Sequence, residues 1–151
     1  MLGLALLLCG QGLAEDIGGS ASYFPESEAF VGTWCMDDYI LEIDHMEEDY
    51  SLFYCVVSQY NDDGKTGTRW IYDGCAYDDI GKALSSEEIG HKFIFVMDEN
   101  DNVQENELVY NDGAASFAID ESGRLIWTDF KETPGENALA FERSVEQEPA
   151  E

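Results

Sequence analysis

Hydrophobic and polar residues alternate through much of the chain with the two-residue period of a β-strand. In the segment 38–44, for example, apolar residues occupy positions 39, 41 and 43, and the acids Glu42 and Asp44 lie between them. Turns rich in Asp, Asn and Gly separate such runs at intervals of roughly 8–12 residues. No apolar pattern is long enough for a crossover helix. We therefore predict an all-β fold, an antiparallel up-and-down β-barrel or sandwich of about eight to ten strands.

The chain divides into four predicted regions. Residues 1–14 resemble a secretory signal, because an apolar run is followed by small residues that end at Ala14. A flexible linker is expected over 15–29, a single β-barrel domain over 30–145 and an acidic tail over 146–151. Secretion is therefore expected; a lipid anchor at Cys9 is the weaker alternative, because the bulky Leu8 precedes that cysteine. No other stretch approaches the roughly 18 apolar residues of a membrane span.

The net charge limits the partners that this protein can have. The chain carries 33 acidic and 7 basic residues, which gives a formal charge of -26. This charge repels phosphate backbones and anionic lipids, so we predict neither nucleic-acid binding nor a membrane-surface role. A charged partner is expected to be a cationic protein surface. The hydrophobic content of 44% still supplies enough apolar surface for a folded core.

The cysteines predict free thiols. A hairpin that turns at residues 62–64 places Cys55 opposite Ile71. Cys75 then lies about four residues further along, on the order of 13 Å away, whereas a disulfide needs Cα atoms within about 7 Å. Cys35 is too far from Cys55 for the same reason. We expect three buried thiols, and a Cys35–Cys75 or Cys55–Cys75 bond remains open if a bulge or the barrel shear shifts the register.

Two segments in the second half of the chain predict breaks between strands. Residues 85–88 resemble the start of a helix, but Gly90 leaves room for only one turn. The tripeptide Asn111-Asp112-Gly113 is a strong hairpin signal. Separate strands are therefore expected before and after it.

The two ends of the predicted domain carry a resemblance. Gly32-Thr33-Trp34 opens the first strand and Arg143 ends the last, a pattern that resembles the calycin group of lipocalin- and avidin-like barrels. The resemblance implies that Trp34 closes one end of the barrel and that Arg143 packs over its ring, a contact of about 0.5–2 kcal/mol. The segments 32–34, 110–117 and 123–127 also look like uncharacterised secreted domains of Gram-positive anaerobes. This second resemblance implies no activity.

Eight aromatic residues are candidates for a ligand-binding site inside the barrel. An eight-stranded barrel is either just filled by its side chains or holds one small ligand, and the filled alternative is favoured here. We predict a secreted, non-catalytic binding module that takes a small apolar ligand in the barrel or a protein at its acidic surface. The candidate residues are Tyr39, Tyr54, Trp70, Tyr72, Phe93, Phe95, Phe117 and Trp127.

No pattern specifies a catalytic, metal or cofactor site, and none is predicted. His45 and His91 fall on different predicted strands, without a nucleophile at a diagnostic spacing. The turn that starts at Asp98 fails as an EF-hand loop, because Val103 and Val109 occupy the positions of the required Gly and Glu. The alternatives are an extracellular hydrolase and a purely structural domain. A polar cleft that holds either histidine beside a carboxylate would favour the hydrolase.

Overall fold

The computed structural model describes residues 24–131 and 138–144, which form a closed barrel of eight antiparallel strands. Each strand pairs with the next one along the chain, and the last strand pairs with the first. The predicted all-β, up-and-down antiparallel fold is confirmed, and the architecture is compatible with a calycin-like barrel. The strands are β1 Gly32–Met36, β2 Tyr39–His45, β3 Leu52–Tyr60, β4 Thr66–Asp78, β5 Ala83–Met97, β6 Val103–Ile119, β7 Leu125–Asp129 and β8 Leu139–Arg143.

A 3-10 helix, Pro25–Phe30, precedes β1 and lies largely within the range expected to be a linker. Its Ser27 and Phe30 side chains are buried, and Phe30 belongs to the main hydrophobic core. Ordered structure therefore begins before residue 30. The expected secretory signal and acidic tail lie outside the described residues.

The predicted breaks within β5 and β6 are wrong, because both strands run without interruption through those segments. Gly90 on β5 instead pairs with Gly113 on β6. A Cβ atom at Gly90 would lie 2.5 Å from the ring of Tyr72, which fills the space inside the barrel. These glycines therefore allow a close approach between strands and an aromatic ring, and they do not form a turn.

Trp34 and Arg143 lie opposite each other where the first strand pairs with the last. The Trp34 side chain is buried, and its indole N–H donates a hydrogen bond of 3.0 Å to the carbonyl oxygen of Phe30. The guanidinium of Arg143 lies 4.1 Å from the centre of the Trp34 ring. Arg143 also donates to the carbonyl oxygens of Val31 (2.6 Å) and Ala29 (2.7 Å). The last strand is thereby attached to the segment that enters the first.

Gly32 makes room for this arrangement. Its φ angle is +134°, which disfavours residues with a side chain. A Cβ atom at this position would lie 2.5 Å from the Nη1 atom of Arg143. The backbone conformation therefore favours glycine here, and a side chain at this position would displace the Arg143 guanidinium.

A β-bulge changes the predicted cysteine register. The pairing of β3 with β4 shifts between Phe53 and Tyr54, so Cys55 lies opposite Tyr72 and Cys75 lies opposite Phe53. Cys75 is therefore two positions from Cys55 along the sheet, half the predicted separation. The structure shows both as buried free thiols and Cys35 as a half-buried one.

Several tight turns are organised by an aspartate that accepts backbone N–H groups. Asp63 accepts from Lys65 and Thr66, and Asp120 accepts from Ser122 and Arg124. Hydrogen bonds to the charged carboxylate lower its pKa. The backbone bond from Arg124, followed by the Ser122 hydroxyl, lowers the pKa of Asp120 from 3.8 to about 2. Some of the acidic residues therefore stabilise turns.

The Asp120→Asn variant tests this role in the pH dependence of folding. Because the folded-state pKa is depressed, the carboxylate stabilises the fold above pH 3.8, and this contribution is lost as the pH falls to about 2. We expect the unfolding midpoint of the variant to change less over that interval than the midpoint of the wild type. Glu121→Gln removes one negative charge from the adjacent residue and serves as the control. A carboxyl NMR titration of Asp120 at its ordinary pKa would contradict the assignment.

The Trp34→Ala variant tests whether this ring closes the barrel. Truncation removes a fully buried ring and its contacts with Phe30 and Arg143. We expect a loss of about 3–5 kcal/mol in the free energy of unfolding, measured by urea denaturation. Trp34→Phe keeps a ring beneath Arg143 and is expected to lose less. A loss for Trp34→Ala below about 1 kcal/mol would show that the ring is not a closing element.

Candidate functional site

The structure brings five of the eight candidate aromatics together inside the barrel. The ring centres of Trp70 and Trp127 lie 5.1 Å apart, those of Tyr72 and Phe117 lie 5.6 Å apart, and Tyr39 stacks on Trp70 at 6.3 Å. All except the half-buried Tyr39 are buried. Separations of this size are those of packed aromatic pairs. The rings therefore contact one another and form part of the core.

Phe93 and Phe95 lie on the opposite face of β5, away from this interior cluster. They pair across strands with Arg69 and Gly67. The Phe95 ring packs beneath the Arg69 guanidinium at 5.1 Å and against the Tyr60 ring at 5.4 Å. Both phenylalanines are buried, so they form a small apolar layer on the outside of the barrel wall.

Two interior indoles have no hydrogen-bond acceptor among the described residues. The Nε1 atoms of Trp70 and Trp127 are buried and unpaired. Trp127 approaches the hydroxyl of Tyr72, but without the geometry of a hydrogen bond. Buried donors of this kind are commonly satisfied by an enclosed water molecule.

A buried carboxylate lies at one side of the interior. Asp129 accepts a hydrogen bond of 2.6 Å from the Tyr72 hydroxyl and one of 3.1 Å from the Tyr110 hydroxyl. Its other oxygen accepts from the backbone N–H of Lys131. Burial, followed by the hydrogen bond to Asp129, raises the pKa of Tyr72 far above its usual range. Tyr72 therefore remains a proton donor, and the cluster cross-links β4, β6 and β7.

His45 lies beside a carboxylate in a polar groove, as a hydrolase would require, but both of its ring nitrogens are engaged. Nδ1 lies 2.7 Å from the Tyr50 carbonyl oxygen, and Nε2 lies 2.9 Å from a Glu28 carboxylate oxygen. The ring stacks on Tyr50 with the centres 3.6 Å apart. Both ring nitrogens are therefore engaged by neighbouring residues and are not directed at open solvent. The geometry therefore ties the 3-10 helix to the β2–β3 hairpin.

Tyr54 is the candidate aromatic that faces solvent. Its side chain is 40% exposed on the outer face of β3. Cross-strand pairing places Asp44 of β2 on one side and Asp73 of β4 on the other. Partial burial, and then the negative charge of Asp73, raises the pKa of Tyr54. A neutral phenol between two carboxylates is therefore presented on the barrel wall.

Two adjoining grooves meet at Tyr54. One has a volume of about 360 Å³ and is bordered by Thr33, Glu42 and Val56. The other has a volume of about 390 Å³ and extends past His45 to the acidic β2–β3 turn. Tyr54 and Asp44 line both grooves. None of the residues that line them is lysine or arginine. The Arg69 guanidinium lies close enough to lower the pKa of Tyr54, so the acidic side chains around the ring have one basic neighbour outside the grooves.

The sequence did not place Tyr54 correctly, because β3 is apolar on both faces. Alternation in β3 puts Phe53, Cys55 and Val57 inside, and it leaves Tyr54 and Val56 outside. The informative signal lay in the neighbouring strand, where Glu42 and Asp44 mark the outer face of β2. Their cross-strand partners are Val56 and Tyr54.

Comparisons with known proteins do not extend this picture. No protein-family model, curated protein or solved structure matches the chain.

Within residues 24–131 and 138–144, no group of three or more His, Cys, Asp or Glu side chains is arranged to hold a metal ion. In the same part of the chain, no helix has the length and apolar character of a membrane span.

The Tyr72→Phe variant tests the buried cluster at Asp129. It removes the shorter of the two tyrosine hydrogen bonds to a carboxylate that is only 4% exposed. We expect a loss of about 1–3 kcal/mol in the free energy of unfolding, measured by urea denaturation. Tyr110→Phe removes the longer bond of a less buried hydroxyl and is expected to cost less. The reverse order would contradict the importance of the Tyr72 bond.

Proposed function

We propose that this domain is a non-catalytic binding module that takes a cationic protein segment in the outer grooves around Tyr54. One observation carries the proposal: the strand pairing holds an exposed aromatic ring between Asp44 and Asp73, at the junction of two grooves. Tyrosine and arginine are both enriched at the energetically important positions of protein interfaces. The surface therefore combines a suitable ring with charges that select a cation.

The chemistry of the groove favours an arginine or lysine side chain. A cation over the Tyr54 ring interacts with the ring face, which contributes about 0.5–2 kcal/mol. The two flanking carboxylates add electrostatic attraction that guides the approach of the partner and excludes anionic ones. Neighbouring apolar residues of the partner would pack in the first groove beside Val56.

Two further assignments belong to this proposal. The stacking of Arg143 on Trp34 supports a relationship with the calycin group. Secretion is retained because a partner outside the cell fits a chain that starts with a signal-like segment.

The alternative functions have weaker support. The five interior aromatics pack against one another, which favours a filled barrel over one that holds a small apolar ligand. A hydrolase has less support because the nitrogens of His45 are both occupied by acceptors.

A binding measurement with matched variants tests the proposal. The probe is a short amidated peptide that alternates arginine with leucine, and its counterpart carries glutamine in place of arginine. Isothermal titration is expected to detect only the arginine peptide. Tyr54→Ala should weaken that binding by about tenfold, because the ring face is lost.

The charge control separates a defined site from general attraction to an acidic protein. Asp73→Asn and Glu107→Gln each remove one negative charge, at the groove and on an exposed part of β6, respectively. We expect only Asp73→Asn to weaken binding of the peptide markedly at moderate salt. Equal effects of the two variants, or full affinity in Tyr54→Ala, would exclude this groove as the site.

A further inference from the structure

Two cysteine side chains meet inside the barrel where β3 pairs with β4. Cys55 and Cys75 are both fully buried, and both side chains belong to the same hydrophobic core on the inner face of the β3–β4 pair. The Sγ atom of Cys75 also lies 3.8 Å from the carbonyl oxygen of Tyr72, the residue opposite Cys55. The two sulfur atoms therefore share one small region of the core.

The β-bulge is what brings these cysteines together. The register shifts between Phe53 and Tyr54, and Gly74 adopts a φ angle of +103° on the opposite strand. As a result, Cys75 is a diagonal neighbour of Cys55 on the inner face. Diagonal neighbours of an antiparallel pair lie about 7–8 Å apart, at the upper limit for a disulfide, so the bond requires the two strands to move slightly closer at the bulge.

Cys35 does not compete for either thiol. On β1 the Trp34 side chain belongs to the interior core, so the next residue, Cys35, points to the outer face. The barrel wall therefore separates Cys35 from Cys75. Of the two disulfides that the sequence left open, only the bond between Cys55 and Cys75 is compatible with the fold.

We propose that Cys55 and Cys75 form a modification site that is oxidised to a disulfide between β3 and β4. The oxidant is a disulfide compound, either glutathione disulfide or the disulfide of a thiol oxidoreductase. One protein thiolate attacks the donor disulfide and releases one donor thiol, and the second attacks the resulting mixed disulfide and releases the other. The protein loses two protons and two electrons, and the donor gains both. This chemistry lies inside the barrel and does not depend on binding at the outer grooves.

Burial determines when the bond forms. Loss of solvent, and then the neighbouring Cys75, raises the pKa of the Cys55 thiol well above its usual range. Because the thiolate is the reactive form, exchange inside the closed barrel is slow. The bond therefore forms while the chain is folding, before the wall between β3 and β4 is covered. Once the barrel closes, the same burial keeps external reductants from the disulfide.

Refolding of the full 151-residue chain in a mixture of glutathione and glutathione disulfide tests the proposal. The product is then denatured without reductant, alkylated with N-ethylmaleimide and weighed by mass spectrometry. We expect two of the four cysteines to resist alkylation until a reductant is added. Peptide mapping should find the segment that contains Cys55 linked to the segment that contains Cys75.

Matched variants assign the bond to this pair. Cys35→Ser should retain it, whereas Cys55→Ser should expose all of its remaining cysteines to alkylation. Alkylation of all four cysteines in the wild type, or a link that includes Cys9 or Cys35, would overturn the proposal. The mass of the wild-type protein is sufficient for this decision even if Cys55→Ser does not fold.

Discussion

Closure of the barrel depends on a short contact between its first and last strands, and Arg143 holds that contact together. Among the described residues, the β1–β8 ladder pairs Trp34 with Arg143 and Cys35 with Glu142. A backbone hydrogen bond from Ser144 to the carbonyl oxygen of Thr33 extends it. An unpaired edge on either strand would expose backbone groups to another chain. Arg143 compensates for the short pairing, because it covers the Trp34 ring and binds two carbonyl oxygens of the entering segment. One side chain thus links parts of the sequence that are more than a hundred residues apart.

The proposed binding site lies on the wall of the barrel and not in its interior. Aromatic rings, the Asp129 cluster and the two inward cysteines pack inside. The outer face of β2, β3 and β4 remains available, and its side chains are ordered by cross-strand pairing. The bulge in β3 and β4 affects both sides of this wall, since it sets Tyr54 opposite Asp73 outside and brings Cys75 near Cys55 inside.

The sequence was sufficient to predict the fold class, because alternation and turn residues act locally along each strand. It was insufficient for the lengths of β5 and β6, since Gly90 and Gly113 carry the same local signal as turn glycines although they face each other across two strands. The sequence also did not show that Tyr54 lies on the outer face of the barrel, because β3 is apolar on both faces. Phe95 was misplaced for a related reason: the Arg69 guanidinium and the Tyr60 ring that pack against it come from other strands. Phe93 lies on the same outer face of β5 and pairs with Arg69.

In the proposed function, the net charge of -26 would attract cations in general but would not select among them. Charge spread over the whole surface draws every basic protein, and salt weakens this attraction uniformly. Selection requires a group whose position is fixed and whose interaction depends on direction. Tyr54 meets this requirement, because its neighbours Asp44 and Asp73 are set by strand register and not by a loop. A ring held on a strand loses little conformational freedom when a partner binds, so more of the contact energy is available for discrimination.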